Sequence, residues 1–263
     1  MRFYCMLSLL GQHTLAIVRE LGDFGVFSSR SFSAAVGSRK LGRRVVRAIY
    51  EQGVRCVPVI VIVGLFTGLV LGLQGYYVLS KFGSSGLLGT LVSLTLVREL
   101  APVLAALMLV GQAGSALAAE LGIQRNSEQI DALETMGADV YAYLISPRLI
   151  AAVLVFPIQS AFFCIIGLLG GYLSGSVVLA LQPGVYWSAV FRAVHPVDVR
   201  ECLIKAVIFG ILTIAICAYN GFNAHRRKSS SGARAVSAST TRAVVISSIV
   251  VLAADYVITS FLV

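Results

Sequence analysis

Five long apolar stretches constrain the fold of this chain more than any other feature of its sequence. They lie near 57–79, 91–119, 149–180, 203–222 and 243–263. A helix needs about 20 apolar residues to cross the hydrocarbon core of a bilayer. A backbone without water must also satisfy its own hydrogen bonds there, which favours helices. The sequence therefore predicts an all-α integral membrane protein with about five transmembrane helices.

The composition favours the same class and argues against others. Of the 263 residues, 57% are hydrophobic and 13% are charged, whereas about a quarter of the residues of an average soluble domain are charged. The five cysteines are scattered and form no C-x-x-C motif, so neither a disulfide framework nor a zinc site is expected. We predict no catalytic residue, no metal site and no cofactor bound by this chain.

The basic residues indicate how the chain is oriented. The formal net charge is +9, but these residues lie beside the apolar stretches, so we expect no nucleic acid partner. Sixteen of the 21 Lys and Arg residues fall in 1–56, 120–148 and 223–242, and three fall in 80–90 and 181–202. Basic loops stay in the cytoplasm. The N-terminus is therefore predicted to be cytoplasmic and the C-terminus to lie on the outer side.

The first 56 residues form a segment of their own before the transmembrane domain, which we assign to 57–263. Leu10, Ile17, Leu21 and Phe24 recur there at helical spacing. This pattern predicts an amphipathic helix in the cytoplasmic interface of the membrane. The alternative is a sixth span, which the number of charges in this segment disfavours.

Ionisable residues inside the apolar stretches are costly and therefore informative. Arg98 and Glu99 are adjacent in the second stretch, Lys205 begins the fourth, and Asp255 lies in the fifth. Pro102 is expected to bend the second helix close to Arg98. Two interpretations stay open: the four charges satisfy one another across helices, or Arg98 and Lys205 line a cavity and hold an anionic group such as a lipid phosphate.

The segment after the second stretch predicts a short helix over 127–136. Asn126 is a candidate N-cap with Gln129 as its partner, and Gly137 supplies a stop. One face is apolar (Ile130, Leu133 and Met136) and the other is acidic (Glu128, Asp131 and Glu134). We favour a docking helix for a partner protein over an interfacial helix, because acidic residues are repelled by an anionic leaflet.

Small residues recur every four positions in three of the stretches. The series are Gly64, Gly68 and Gly72, then Gly111, Ser115 and Ala119, then Gly167, Gly171 and Gly175. Such series let helices approach closely. They are compatible with packing inside one chain and with an interface between subunits.

Several of these runs resemble the MlaE/YrbE family of ABC-transporter permeases. The similar runs are GLFTGLVLGLQ at 64–74, LVRELAPV at 96–103, GSALAAELG at 114–122, EQIDALETMG at 128–137, SPR at 146–148, GFN at 221–223 and TTRAVV at 240–245. The similarity extends from about residue 50 to the end of the chain. The run EQIDAL is the most specific part.

The resemblance implies a function and a set of partners. Members are homodimeric permeases of bacterial inner membranes, and they move phospholipids between inner and outer membranes with a cytoplasmic ATPase dimer and a periplasmic MCE-domain protein. ATP and Mg would then be bound by the ATPase. The resemblance also implies that 127–137 is the coupling helix gripping the ATPase, that Arg98 and Glu99 face the lipid cavity, and that 5–27 is the interfacial helix. The coupling residues would be Glu128, Ile130, Asp131, Leu133, Glu134, Met136 and Gly137.

Two departures from the family pattern limit what is transferred. Gln112 stands where the family usually has arginine, and 225–231 is basic where the family loop is usually rich in glycine. We therefore assign no role to the basic loop at 225–234.

Other function classes are less well supported. An ion-coupled carrier would need matched broken helices and more intramembrane carboxylates, and a scaffold for a periplasmic lipid-binding protein would not need the docking helix. An enzyme is disfavoured because no nucleophile–base spacing is visible and no ATPase motif is present.

Overall fold

A computed structural model describes residues 2–37, 42–226 and 232–262. Residues 227–231, which belong to the basic loop discussed above, lie outside the described part of the chain. No β-strand occurs in the described ranges. The helices are α1 (Arg2–Gly37), α2 (Gly42–Gln52), α3 (Val57–Lys81), α4 (Ser85–Asn126), α5 (Gln129–Thr135), α6 (Tyr141–Val178), α7 (Pro183–Ala193), α8 (Pro196–Phe222) and α9 (Ala233–Leu262).

Five helical segments are long and apolar enough to cross a membrane, namely Gly42–Lys81, Ser85–Asn126, Tyr141–Val178, Pro196–Phe222 and Ala233–Phe261. The prediction of an all-α integral membrane protein is therefore confirmed. Most of the helices extend beyond the predicted stretches; α4, for example, continues to Asn126 rather than to 119. Apolar length locates the part that crosses the hydrocarbon, whereas the helix itself continues through more polar turns at its ends.

Helix α1 lies against one end of the bundle, and it is longer than the predicted 5–27. It is not among the five candidate spans found in the described ranges. Phe27 is buried, and its ring centroid lies 5.6 Å from that of Tyr141, 5.5 Å from Tyr219 and 5.7 Å from Phe222. This aromatic cluster fixes α1 to the start of α6 and the end of α8. The side chains of Leu10 and Ile17 lie outside the described part of the chain.

We call this end of the bundle the basic end, defined by α1, residues 120–148, residues 223–226 and residues 232–242. The opposite end carries residues 80–90 and α7. One apolar core cluster includes Phe27, Ile130 and Phe222 at the basic end. A second includes Leu88, Tyr186 and Val190 and lies towards the opposite end.

Two of the three small-residue series meet each other inside one chain. A Cβ atom added to Gly68 would lie 1.9 Å from the main-chain oxygen of Gly167, and one added to Gly72 would lie 2.9 Å from that of Gly171. The backbones of α3 and α6 are therefore in direct contact. Gly111 differs, because a Cβ atom at that position would meet nothing within 4 Å.

Helix α4 is interrupted by two π-helical turns, Leu96–Leu100 and Val110–Gly114. The first turn ends just before Pro102, where the sequence predicts a bend. In it the amide of Ala101 bonds the oxygen of Leu96, five residues back instead of four. Turns of this kind occur often at functional sites. The first one displays Arg98 and Glu99.

Candidate functional site

A buried lysine organises the charged residues inside the membrane domain. The side chain of Lys205 is 3% exposed. Its Nζ lies 3.1 Å from both carboxylate oxygens of Glu99 and 3.4 Å from Oδ1 of Asp255, and it donates to Oγ1 of Thr259 at 2.7 Å. A buried cation is tolerated only when it is paired. The partners of this ammonium group come from α4 and α9, so it joins these two helices to α8.

The same lysine also repairs the backbone of α4. Pro102 has no N–H to bond the main-chain oxygen of Arg98, four residues earlier. Lys205 Nζ donates to that oxygen at 2.9 Å. The irregular turn around Arg98 is thus stabilised by a side chain from another helix. Lys205 supplies the hydrogen bond that Pro102 cannot donate.

Arg98 belongs to a separate pair, which the sequence analysis missed. Its Nε and one terminal nitrogen both lie 2.8 Å from Oδ1 of Asp198. Asp198 is buried, and its Oδ2 accepts from the amide of His195 at 2.9 Å, within a capping box that starts α8. The sequence signal was the capping pattern before Pro196, but nothing in it linked Asp198 to a residue 100 positions away.

Of the four charges considered together in the sequence, the structure unites three. Glu99, Lys205 and Asp255 form one cluster, whereas Arg98 pairs with Asp198. The side chains of Arg98 and Glu99 remain 50% and 41% exposed, so both present polar atoms outside the protomer. Their assignment to a lipid cavity, and that of Lys205, stay predictions.

The short helix at the basic end forms, but it begins differently from the prediction. Asn126 does not cap it: α4 runs through Asn126, whose amide donates to the main-chain oxygen of Gly232 at 3.2 Å. Glu128 takes a left-handed conformation with φ 58°, and α5 then spans only Gln129–Thr135. Gly137 ends the segment with φ 74°, as predicted.

The residues of this segment divide into an inner and an outer set. Ile130 is fully buried, and Leu133 packs against the same core cluster. Met136 is 72% exposed, although the sequence placed it on the same apolar face. Glu128 is exposed as well. Because α5 ends before Met136, this residue leaves the helical spacing that Ile130 and Leu133 follow.

Two of the predicted acidic residues face their own chain. One terminal nitrogen of Arg125 lies 2.7 Å from Asp131 and 3.5 Å from Glu134. The side chain of Arg125 is 13% exposed, and those of Asp131 and Glu134 are each 49% exposed. Arg125 is a second residue that the sequence analysis missed, because Ser127 and Glu128 reverse the chain between the two helices.

These observations define a class of protein. The chain is a multi-pass helical membrane protein with a paired charge cluster inside the membrane domain and a short, partly exposed helix at its basic end. In the described residues no group of three or more His, Cys, Asp and Glu side chains is placed to hold a metal ion.

Comparison with known proteins identifies the family. A family model described as Permease MlaE matches residues 45–261. The chain is 38% identical to a probable ABC transporter permease protein of Rickettsia prowazekii over 95% of both chains. It is 37% identical to the intermembrane phospholipid transport system permease protein MlaE of Haemophilus influenzae over 97% of both. A chloroplastic protein of Arabidopsis thaliana, TRIGALACTOSYLDIACYLGLYCEROL 1, is 31% identical over 83% of this chain and 61% of its own length.

The chain belongs to the MlaE permease family. The match begins within α2 and includes α5, the charge cluster, four of the candidate spans in full and all but the first three residues of Gly42–Lys81. The resemblance inferred from the sequence runs is confirmed.

Proposed function

We propose that this chain is the membrane-spanning permease subunit of an ABC transporter that moves phospholipids between the inner and outer membranes of a bacterium. It would work as a homodimer in the inner membrane, with its N-terminus and basic end in the cytoplasm and its C-terminus in the periplasm. A cytoplasmic ATPase would bind ATP and Mg, and a periplasmic MCE-domain protein would exchange lipid with the permease. The similarity to the Haemophilus influenzae protein, which is named an intermembrane phospholipid transport system permease, supports this proposal.

The observation that carries the proposal is the construction of α5. Ile130 and Leu133 fasten it to the bundle, while the side chains of Gln129, Ala132 and Met136 remain exposed. A helix attached on one side and open on the other, at the basic end of the bundle, fits the groove of a partner protein. We propose that the ATPase contacts this open face and Glu128, whereas Asp131 and Glu134 hold the helix in place.

The charged cluster supplies the proposed lipid contact. The side chain of Arg98 is half-exposed and its guanidinium group is held by Asp198, and an oriented guanidinium binds phosphate well. Lys205 is enclosed by oxygens of its own chain, so its proposed contribution is to hold Glu99 and the turn around Arg98. We propose that Arg98 and Glu99 face a cavity between the two protomers, where a phospholipid headgroup passes.

The homodimer is proposed on family grounds and on the low burial of α9. Only 11% of the residues in the apolar window of Ala233–Phe261 are buried within one protomer. The open position at Gly111 would admit a second helix at close range. Helix α9 and helix α4, which carries Gly111, both contribute residues to the charge cluster. A cavity between two copies that contains this cluster would require both helices to lie at the interface.

The test is reconstitution of the permease with its ATPase and its MCE-domain partner in proteoliposomes. A fluorescent phospholipid is placed in the donor membrane, and its arrival in acceptor membranes is followed with and without ATP. We expect transfer that requires ATP and is lost when the ATPase carries an inactivating substitution of its catalytic carboxylate. Transfer that is indifferent to ATP but follows an ion gradient would indicate a carrier instead. Intact binding of the MCE-domain protein with no transfer under any condition would indicate a scaffold.

A further inference from the structure

Arg125 connects α5 to the ends of two spans. It lies in the last turn of α4, and besides its pairs with Asp131 and Glu134, its Nε donates to Nδ1 of His225 at 3.2 Å. Its guanidinium carbon also lies 5.0 Å from the ring centroid of Phe222, at the end of α8. A single, nearly buried side chain of one transmembrane helix therefore contacts both the short helix and the end of a second transmembrane helix.

The end of α4 that carries Arg125 is tied to the remaining helices of the basic end. Glu120 lies 2.6 Å from a terminal nitrogen of Arg148 on α6. Asn126 bonds the main-chain oxygen of Gly232, which precedes α9. The end of α4 that carries Arg125 is thus in contact with α6 and with the residue before α9.

Helix α5 has few other means of keeping its position. With seven residues it is about 10 Å long, too short to be stable without contacts to the rest of the protein. It is bounded by left-handed residues, Glu128 on one side and Gly137 on the other. Its attachments in the described structure are the burial of Ile130, the packing of Leu133 and the two carboxylates held by Arg125.

We infer that Arg125 is a positioning residue that fixes α5 to the bundle and transmits its movement to the transmembrane helices. The inference rests on the proposed function, because it assigns α5 to the ATPase contact. The charge pattern supports it: Asp131 and Glu134 are three residues apart on one helix face, where like charges repel. One terminal nitrogen of Arg125 lies near both carboxylates, so its positive charge offsets part of this repulsion.

The experiment compares variants of the full complex in lipid nanodiscs or proteoliposomes. The readout is the amount of phospholipid transferred per ATP hydrolysed, together with the amount of ATPase that co-purifies. For Arg125→Ala we expect the ATPase to remain bound and to hydrolyse ATP, while transfer per ATP falls at least about fivefold, the lower end of typical coupling between two sites. Arg125→Lys retains the charge but loses the planar guanidinium group. Its transfer per ATP should lie between that of Arg125→Ala and that of the unaltered complex.

Arg47→Ala is the matched control. Arg47 is an arginine of α2 whose carboxylate partner, Glu51, lies 2.8 Å away on the same helix. Its ion pair therefore does not join α5 to the bundle. Its transfer per ATP should equal that of the unaltered complex. A fall as large as that of Arg125→Ala would overturn the inference.

A charge exchange separates positioning from folding. The double variant Arg125→Asp with Asp131→Arg restores an ion pair between α4 and α5 with its direction reversed. We expect it to recover part of the transfer per ATP that each single variant loses. If Arg125→Ala does not fold, the comparison of the double variant with the two single variants tests the inference instead. Equal losses in the double and single variants, or an unchanged ratio in Arg125→Ala, would overturn the inference. Absence of ATP-dependent transfer in the unaltered complex would instead refute the proposed function.

Discussion

Lys205 donates a hydrogen bond to the main-chain oxygen of Arg98, at the position where Pro102 has removed the usual donor. The ammonium group that closes this gap in α4 also pairs with Glu99 and Asp255. Backbone geometry and charge balance in the membrane domain therefore depend on one side chain. It follows that changes at Lys205 affect stability as well as any lipid contact.

Replacing Lys205 with methionine should lower the stability of the protein. Glu99 and Asp255 would keep two like charges with no cation between them, and the oxygen of Arg98 would lose its donor. Removing one member of a buried ion pair costs about 3–5 kcal/mol, and the partial exposure of Glu99 points to the lower end. Thermal unfolding in detergent should show a lower midpoint than for Lys81→Met, an exposed lysine. Equal midpoints for the two variants would contradict this account.

Asp198→Asn should weaken phospholipid transfer through Arg98. The substitution removes the charge that holds the guanidinium group but retains an oxygen for the amide of His195. Asp198→Ala should cost about 1 kcal/mol of stability in addition, because it also removes the hydrogen bond from the amide of His195. Transfer assays on Asp198→Asn, Arg98→Gln and the double variant form a cycle. We expect the double variant to be no worse than Arg98→Gln, and strictly additive losses would show that the two residues act separately.

Gly68→Ala should destabilise the fold, because its new methyl group would lie 1.9 Å from the main-chain oxygen of Gly167. Overpacking of this kind costs about 1–3 kcal/mol, and here a backbone rather than a flexible side chain must give way. Gly184→Ala is the control, since a Cβ atom there meets nothing within 4 Å. The folded fraction after extraction, measured by size-exclusion chromatography, should fall for Gly68→Ala alone. Similar yields for the two variants would argue against the close contact of α3 and α6.

Met136→Ala should weaken binding of the ATPase. This side chain is 72% exposed at the end of α5, where the proposed partner contact lies, and truncation of a buried interface anchor costs more than about 1 kcal/mol. Titration of the purified ATPase against the permease in nanodiscs should give a dissociation constant raised about fivefold. Val46→Ala, an exposed apolar residue of α2, should leave it unchanged. An unaltered dissociation constant for Met136→Ala would move the partner contact elsewhere.

The sequence predicts the spans well because apolar length is a local property. The five stretches reappear as five candidate membrane helices, and the π-helical turn beside Pro102 falls where a bend was expected. The start of α5 was predicted wrongly because a long-range contact overrides the local pattern. Asn126 has the composition of a cap, but it is drawn into α4 and bonds Gly232, a contact between residues 106 positions apart.

The pairing of the charged residues could not be read from the sequence. Arg98 with Asp198 and Arg125 with His225 each join residues 100 positions apart, and only the packing of the helices brings them together. The same limit applied to the small-residue series. Their spacing predicted close approach of helices, whereas the choice of partner required the observation that Gly68 lies against Gly167.

The contact between Gly68 and Gly167 has a mechanical consequence. Where two backbones touch, no side chains lie between them that can exchange one set of rotamers for another, and a tightly packed contact deforms little. Helices α3 and α6 are therefore expected to move as one rigid unit. We expect any bending of the protomer during a transport cycle to occur outside this rigid unit, in the helices that meet through longer side chains.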